Sequence, residues 1–216
     1  MFSNNGNYEK DIVLFSGIPY EVSYTEENIV AVTIYNTGEV VFVNVIANTI
    51  TNTVDIGYPC YGTDFSMNRL AIRVIQKSTS SHIVYLDPNG KLIDRVNIPG
   101  GNSTNISLRD DTIKCTNCKT NTIYCYTLTG QQTWAFKDEN VLREPMGIAL
   151  DKHRNVYVAG KGTKNVVVLS PDGKSCRQIL SQSDGLIEPY SLRININRNE
   201  LLVCNKNGPA FVFSLH

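Results

Sequence analysis

Apolar positions along the chain come in short runs divided by polar turns. In the stretch EPMGIALDKHRNVYVAGKGTKNVVVLSPDG, Gly147 to Leu150 reads as a strand, DKHRN as a turn, and Val156 to Val158 as a second strand. GKGTK then leads to a third strand, Val166 to Leu169, and SPDGK turns the chain into a fourth, Cys176 to Leu180. These four strands, a to d, form a unit, and its order recurs. The position of Leu150 is taken by Tyr24, Phe65, Leu108 and Ile194, in steps of 41, 43, 42 and 44 residues.

The turn after strand c repeats as DPNGK at Asp87, TLTGQ at Thr127 and SPDGK at Ser170, each with a glycine that supplies the positive φ such a turn needs. The first full copy, VIANT, has Asn48 there, the next best residue for that backbone. Turn marks thus fall at Gly6, Asn48, Gly90, Gly130 and Gly173, and one further step lands on His216. Five units are present, about 18–56, 57–98, 99–138, 143–181 and 187–216, the last sharing its strands with residues 6–15.

Four-stranded repeats of 40 to 45 residues are the mark of a β-propeller, whose blades bury their faces only against one another. The expectation is an all-β chain with almost no helix, a single propeller domain over residues 1–216 with antiparallel blades. The N-terminal strand, Tyr8 to Leu14, is expected to pair with Val212 and Phe213, closing the last blade and removing an exposed edge.

Composition narrows the picture. With 216 residues and 42% hydrophobic content the chain can bury a sizeable core. Twenty basic residues balance twenty acidic ones, so no net field draws nucleic acid or acidic membranes. No basic leader followed by an apolar run opens the chain, and no apolar stretch approaches membrane-helix length, so the reading is a cytoplasmic protein that does not engage the membrane. The six cysteines are read as thiols.

The run Pro-x-Gly-Ile-Ala-Leu-Asp, then Asn-Val-Tyr-Val-Ala, then Val-Val-Val-Leu-Ser-Pro-Asp-Gly resembles an NHL repeat, and EPYSLRININRNELLVCNKNGPAFVF is similar, with Pro189, Leu192, Asn195 and Leu201 to Cys204 in matching places. The likeness covers residues 144 to 216 well and falls to spacing and strand pattern over 18 to 140. Together the copies resemble the C-terminal propeller of tripartite-motif (TRIM) proteins of the NHL type, many of them RING-type E3 ubiquitin ligases. That resemblance implies a recognition module for a protein substrate or for RNA, with ligase chemistry on a RING that this chain lacks. The family usually builds six blades, so five closed blades and a piece of a six-bladed ring both stand as readings.

Candidate chemistry is sparse. Cys115-x-x-Cys118 with Cys125 offers no fourth zinc ligand, and His153 reads as a solvated residue of an a-to-b turn, on the face opposite the usual ligand site of a propeller, so neither a metal nor a catalytic set is assigned and no cofactor is expected. Glu21, Asp64 and Asn105 occupy a-strand positions where a metal-dependent lactonase or lyase would place ligands, but Arg193 shares that ring. Trp134, in strand d, is assigned to the outer rim as a packing cap or a side contact.

The b-to-c loops are assigned Arg73, Lys77, Lys119, Lys161, Lys164 and Lys206 against one acid, Glu39. The d-to-a loops temper this, with Lys137 and Arg143 outnumbered by Asp138, Glu139, Glu144, Asp184 and Glu188. Tyr20, Tyr35, Tyr58, Tyr61 and Tyr190 fall in or beside the same loops. The expected binding face is Arg73, Lys77, Lys119, Arg143, Lys161, Lys164, Lys206, Tyr61 and Tyr190. Its mild, patchy charge suits a protein partner, with single-stranded RNA as the alternative.

Overall fold

The computed structural model describes residues 11–12, 16–77, 80–98 and 103–215. The fold is all-β, in five antiparallel sheets that are the blades of a β-propeller. Among the described residues the helical content is one 3-10 turn, Gln182–Asp184, capped by the Ser181 side chain and ended by Gly185 at φ 93°. By contact the chain divides into two compact units, residues 1–76 with 83–95, and residues 77–82 with 96–216.

The first unit holds blade 1, β1 (Pro19–Glu26), β2 (Ile29–Ile34), β3 (Glu39–Asn44) and β4 (Thr49–Asp55). It also holds most of blade 2, β5 (Cys60–Ser66), β6 (Arg69–Lys77), β7 (Ser80–Leu86) and β8 (Leu92–Ile98). One core cluster joins Ala31, Val40 and Phe42 of blade 1 to Leu70, Ile72, Val74, Val84 and Leu86 of blade 2. Each such buried aliphatic side chain contributes about 1.5–3 kcal/mol. On the other face of blade 1, Val32, Ile34, Val41 and Val43 form a second cluster against which Ile12 packs.

The second unit holds blade 3, β9 (Ser103–Arg109), β10 (Thr112–Asn117), β11 (Thr122–Thr127) and β12 (Gln132–Phe136). Blade 4 follows as β13 (Pro145–Leu150), β14 (Val156–Gly160), β15 (Asn165–Leu169) and β16 (Cys176–Leu180), and blade 5 as β17 (Pro189–Asn195), β18 (Glu200–Asn205) and β19 (Ala210–Ser214). β13–β15 are buried along their whole length, as VYVAG and NVVVL predict for strands covered on both sides. The d strands run exposed because they form the outer edge of each sheet: β12 alternates exposed with half-buried, and β4 and β8 are exposed over most of their length.

The repeat holds at the level of register. Tyr24 pairs with Val30, Phe65 with Leu70, Leu108 with Ile113, Leu150 with Val156 and Ile194 with Leu201, one equivalent rung in each a–b ladder. The c-to-d turns carry positive φ where expected, at Asn48 (55°), Gly90 (85°), Gly130 (85°) and Gly173 (70°). Blade 5 has three strands among the described residues. The expected closing strand, Tyr8 to Leu14, lies outside them apart from Asp11 and Ile12, as do Gly6 and His216.

One assignment is corrected. Arg73 is not in a loop but within β6, and it is fully buried. Its strand continues to Lys77 because Arg69–Lys77 is longer than the equivalent strand of other blades, so the polar residue that reads as a turn is carried inside the sheet. Trp134 is resolved as a cap: its indole N–H donates to the Pro171 carbonyl at 3.1 Å, and its ring sits where a Cβ on Gly173 would be 2.7 Å away.

Candidate functional site

In the second unit the b-to-c and d-to-a loops of blades 4 and 5 are laced together. Arg143 and Glu144 enter β13, and their carbonyls accept from the N–H groups of Gly162 (3.0 Å) and Lys161 (3.1 Å) in the loop after β14. The Arg143 N–H donates to Thr163 Oγ1 at 3.3 Å, and the Asn165 amide donates to the Val141 carbonyl at 2.9 Å. In blade 5, Asn205 Oδ1 accepts from Ile187 (3.0 Å) and Glu188 (3.1 Å), while the Lys206 N–H donates to the Glu188 carbonyl at 2.9 Å. Blade 3 joins through Asn121, whose Oδ1 accepts from the Glu144 N–H at 2.8 Å.

Such amides recur at the ends of b and c strands: at Asn165 the amide donates to a loop carbonyl, and at Asn121 and Asn205 the side-chain carbonyl accepts from loop N–H groups that the ladder leaves unpaired. Asn117 does the same for Lys119 and Thr120 in blade 3. Charge counting missed them. The signal was present in the sequence as asparagine near the b-strand exits of four of the five blades, at Asn36, Asn117, Asn121, Asn165 and Asn205.

The charges on this surface pair across loops. Lys161 Nζ stands 3.0 Å from Glu144 Oε2 and 4.0 Å from Glu188 Oε1. Its hydrogen bond to Glu144, and then that carboxylate's charge, push the Lys161 ammonium above the ordinary lysine range. Lys206 Nζ lies 6.0 Å from the centre of the Tyr190 ring, at the outer limit of a cation–π contact. Lys119, Arg143, Lys164 and Lys206 are exposed, Tyr190 is half-buried, and Lys164 holds φ 54° at the end of its turn, directly before β15. Of the nine expected residues, the structure therefore brings together Arg143, Lys161, Lys164, Tyr190 and Lys206, with Lys119 on the adjoining blade 3 turn.

Tyr61 belongs to a different cluster in the first unit. Its ring meets Tyr20 edge-on at 5.3 Å and Tyr35 edge-on at 5.2 Å. Burial first, then the hydrogen bond with Tyr35, push its phenol up to about 12. Tyr58 is close by in sequence, and its hydroxyl accepts from the Gln76 amide at 2.8 Å. Lys77 ends β6, and the buried Arg73 contributes no side chain to a loop surface.

The remaining candidates are committed elsewhere. The Glu21 carboxylate accepts from the Thr63 N–H at 2.9 Å, and Asp64 is buried with Oδ1 accepting from the Phe65 N–H at 3.0 Å. Asn105 is buried in β9. His153 is exposed in the turn before β14, its backbone N–H donating to Asp151. Cys115 and Cys125 are buried, and among the described residues no three His, Cys, Asp or Glu side chains converge as metal ligands.

Sheets of this order define the β-propeller class. No protein-family model matches the chain, and no curated protein is similar to it in sequence. Solved structures are similar in fold. A protein of unknown function from Bacteroides caccae matches with TM-score 0.71 at 11% identity, over 87% of this chain and 70% of that one. Virginiamycin B lyase from Staphylococcus aureus, solved as a catalytically inactive variant with quinupristin, matches with TM-score 0.70 at 13% identity, over 100% of this chain and 76% of that one. The β-propeller domain of Swd1 from Myceliophteria thermophila matches with TM-score 0.68 at 11% identity, over 98% and 87%. At these identities the likeness is one of fold. No helix among the described residues is long and apolar enough to cross a membrane.

Proposed function

We propose that this chain is a non-catalytic recognition platform that holds a protein partner on the loops of blades 4 and 5. The observation that carries this reading is the set of Arg143, Lys161, Lys164, Tyr190 and Lys206 interleaved with Glu144 and Glu188 on loops that hydrogen-bond one another. Loops already fastened to each other lose little conformational entropy on binding, so their contacts convert into affinity. Tyr190 and Arg143 are of the types enriched as anchors at protein interfaces, and the alternating Lys and Glu charges around them suit the polar rim of such an interface. The sequence resemblance extends the reading to the substrate-recognition part of a TRIM-NHL-like ubiquitin ligase system, with the RING supplied outside these residues.

Lys161 bears on the RNA alternative. Its charge is matched by Glu144 and by Glu188, which leaves fewer cations to neutralise phosphates than the loop count implied. A lyase or lactonase reading, suggested by the fold likeness to virginiamycin B lyase, would need Glu21 and Asp64, and each of these already accepts a backbone hydrogen bond.

Affinity capture with the chain, comparing it with Tyr190→Ala and Lys206→Glu, tests the proposal. A specific protein recovered by the parent and lost with either variant is expected. Equal recovery by all three would refute the assignment of this face. Capture of RNA with an affinity that falls steeply with salt would replace the protein partner by nucleic acid.

A further inference from the structure

Far from those loops, blades 4 and 5 form two adjoining cavities. One, of about 210 Å³, is walled by Asn155, Tyr157, Ser170, Ser175, Cys176 and Arg177. The other, of about 150 Å³, is walled by Ile179, Leu180, Leu201, Phe213 and Leu215, and it shares Tyr157 and Arg177 with the first. The first is mixed, with Val168 and Leu169 beside its polar groups, and the second is mainly aliphatic and aromatic. Among the described residues, Arg177 is the one charged side chain lining either.

Local geometry explains the arrangement. Arg177 pairs with Val168 in the β15–β16 ladder, and Val168 pairs with Tyr157 in the β14–β15 ladder, so the three side chains form one row across the sheet. On β16 the next residue on that face is Ile179, part of the core against blade 5. The row thus passes from a guanidinium at the margin to an apolar floor within two residues. Arg177 is exposed and has no carboxylate within ion-pair distance among the described residues.

Three acids around this row are spent or set back. Asp151, behind Tyr157, accepts from the His153 and Asn155 N–H groups, from the Asn155 amide and from the Tyr157 hydroxyl. Asp172 accepts from the Ser170 hydroxyl and faces Lys174, and Asp138 acts on the Cys176 thiol from the blade 3 side. Burial holds Cys176 as a thiol, up to about 11, so it adds no negative charge to the wall at neutral pH.

We propose that this crevice binds a carboxylate carrying a short aliphatic tail, the carboxylate on Arg177 and the tail against Ile179, Leu201, Phe213 and Leu215. An always-charged guanidinium recognises a carboxylate through paired N–H donors. An apolar cavity of this volume accepts a group about the size of benzene, which limits the tail to a few carbons. Two sources share that chemistry, a free short-chain fatty acid and the C-terminal aliphatic residue of a peptide.

Calorimetric titration with hexanoate, hexylamine, acetyl-Gly-Leu and its C-terminal amide tests the proposal and separates the sources. Millimolar or tighter binding of hexanoate or of acetyl-Gly-Leu is expected, with none for hexylamine or the amide. Preference between the two carboxylates identifies the source. Arg177 is exposed on an edge strand, so Arg177→Gln leaves the fold intact by circular dichroism and should weaken binding at least tenfold, while Arg177→Lys restores part of it. No binding of either carboxylate, equal binding of hexylamine, or unchanged affinity in Arg177→Gln would overturn the proposal. The titrations do not involve the loops of Lys161 and Lys206, so their outcome is independent of the partner-binding reading.

Discussion

Single residues set how closely blades approach. A Cβ on Gly147 would stand 2.7 Å from the Leu192 N and 2.8 Å from the Ser191 Cα, both backbone atoms of the next blade's a strand. Neither can yield without moving β17, so Gly147→Ala should destabilise by about 1–3 kcal/mol in chemical denaturation. Gly173 combines a positive φ with contact to the Trp134 ring, and Gly173→Ala should cost about 1 kcal/mol and displace the indole. Trp134 is the single tryptophan of the chain, so its fluorescence reports that displacement directly. Asn48→Gly, at the equivalent turn, should be neutral or slightly stabilising, since Gly removes the side-chain penalty at φ 55°.

Ionisation belongs to this scale too. Burial first, and the Asp55 charge second, push the Cys60 thiol up to about 12 from an ordinary 9.0. The folded chain keeps this proton while the unfolded chain gives it up near 9, so the stabilisation is complete below pH 9 and is lost between pH 9 and 12. Urea midpoints should fall with pH above 9, and Cys60→Ala should show a shallower fall. An identical slope in the variant would contradict that cause.

At the scale of elements, strands and turns were legible in the sequence because each has a local cause. β-branched runs such as VVVL and the Gly or Asn demanded at a positive-φ turn act within a few residues. Arg73 was not legible in this way. A basic residue reads as solvated unless the chain elsewhere covers it, and its burial is decided by where β6 lies in the fold. Pairing across loops was equally hidden. The acids and bases could be counted, but the contact of Lys161 with Glu144 and Glu188, from two different d-to-a loops, depends on three-dimensional neighbours.

Loop fastening yields a further expectation. The Lys161–Glu144 pair is partly exposed, so a double-mutant cycle should return a coupling below about 1 kcal/mol that fades in high salt. Asn205→Ala should cost more, since it withdraws the acceptor from two loop N–H groups at once. That variant should raise amide exchange at Ile187 and Glu188 before it lowers global stability.

For the whole molecule, five repeated sheets provide a scaffold whose loops start from fixed strand ends. In the proposed reading that arrangement serves a platform whose specificity lies in a surface rather than in a reacting group. A photo-crosslinking amino acid in place of Asn207, beside Lys206, with one in place of His153 as the control on the opposite turns, tests this most directly. Illumination in cell extract should give a discrete protein adduct from position 207 that is suppressed by Tyr190→Ala and absent from position 153. Adducts of equal yield from both positions, or only nucleic acid from position 207, would contradict it.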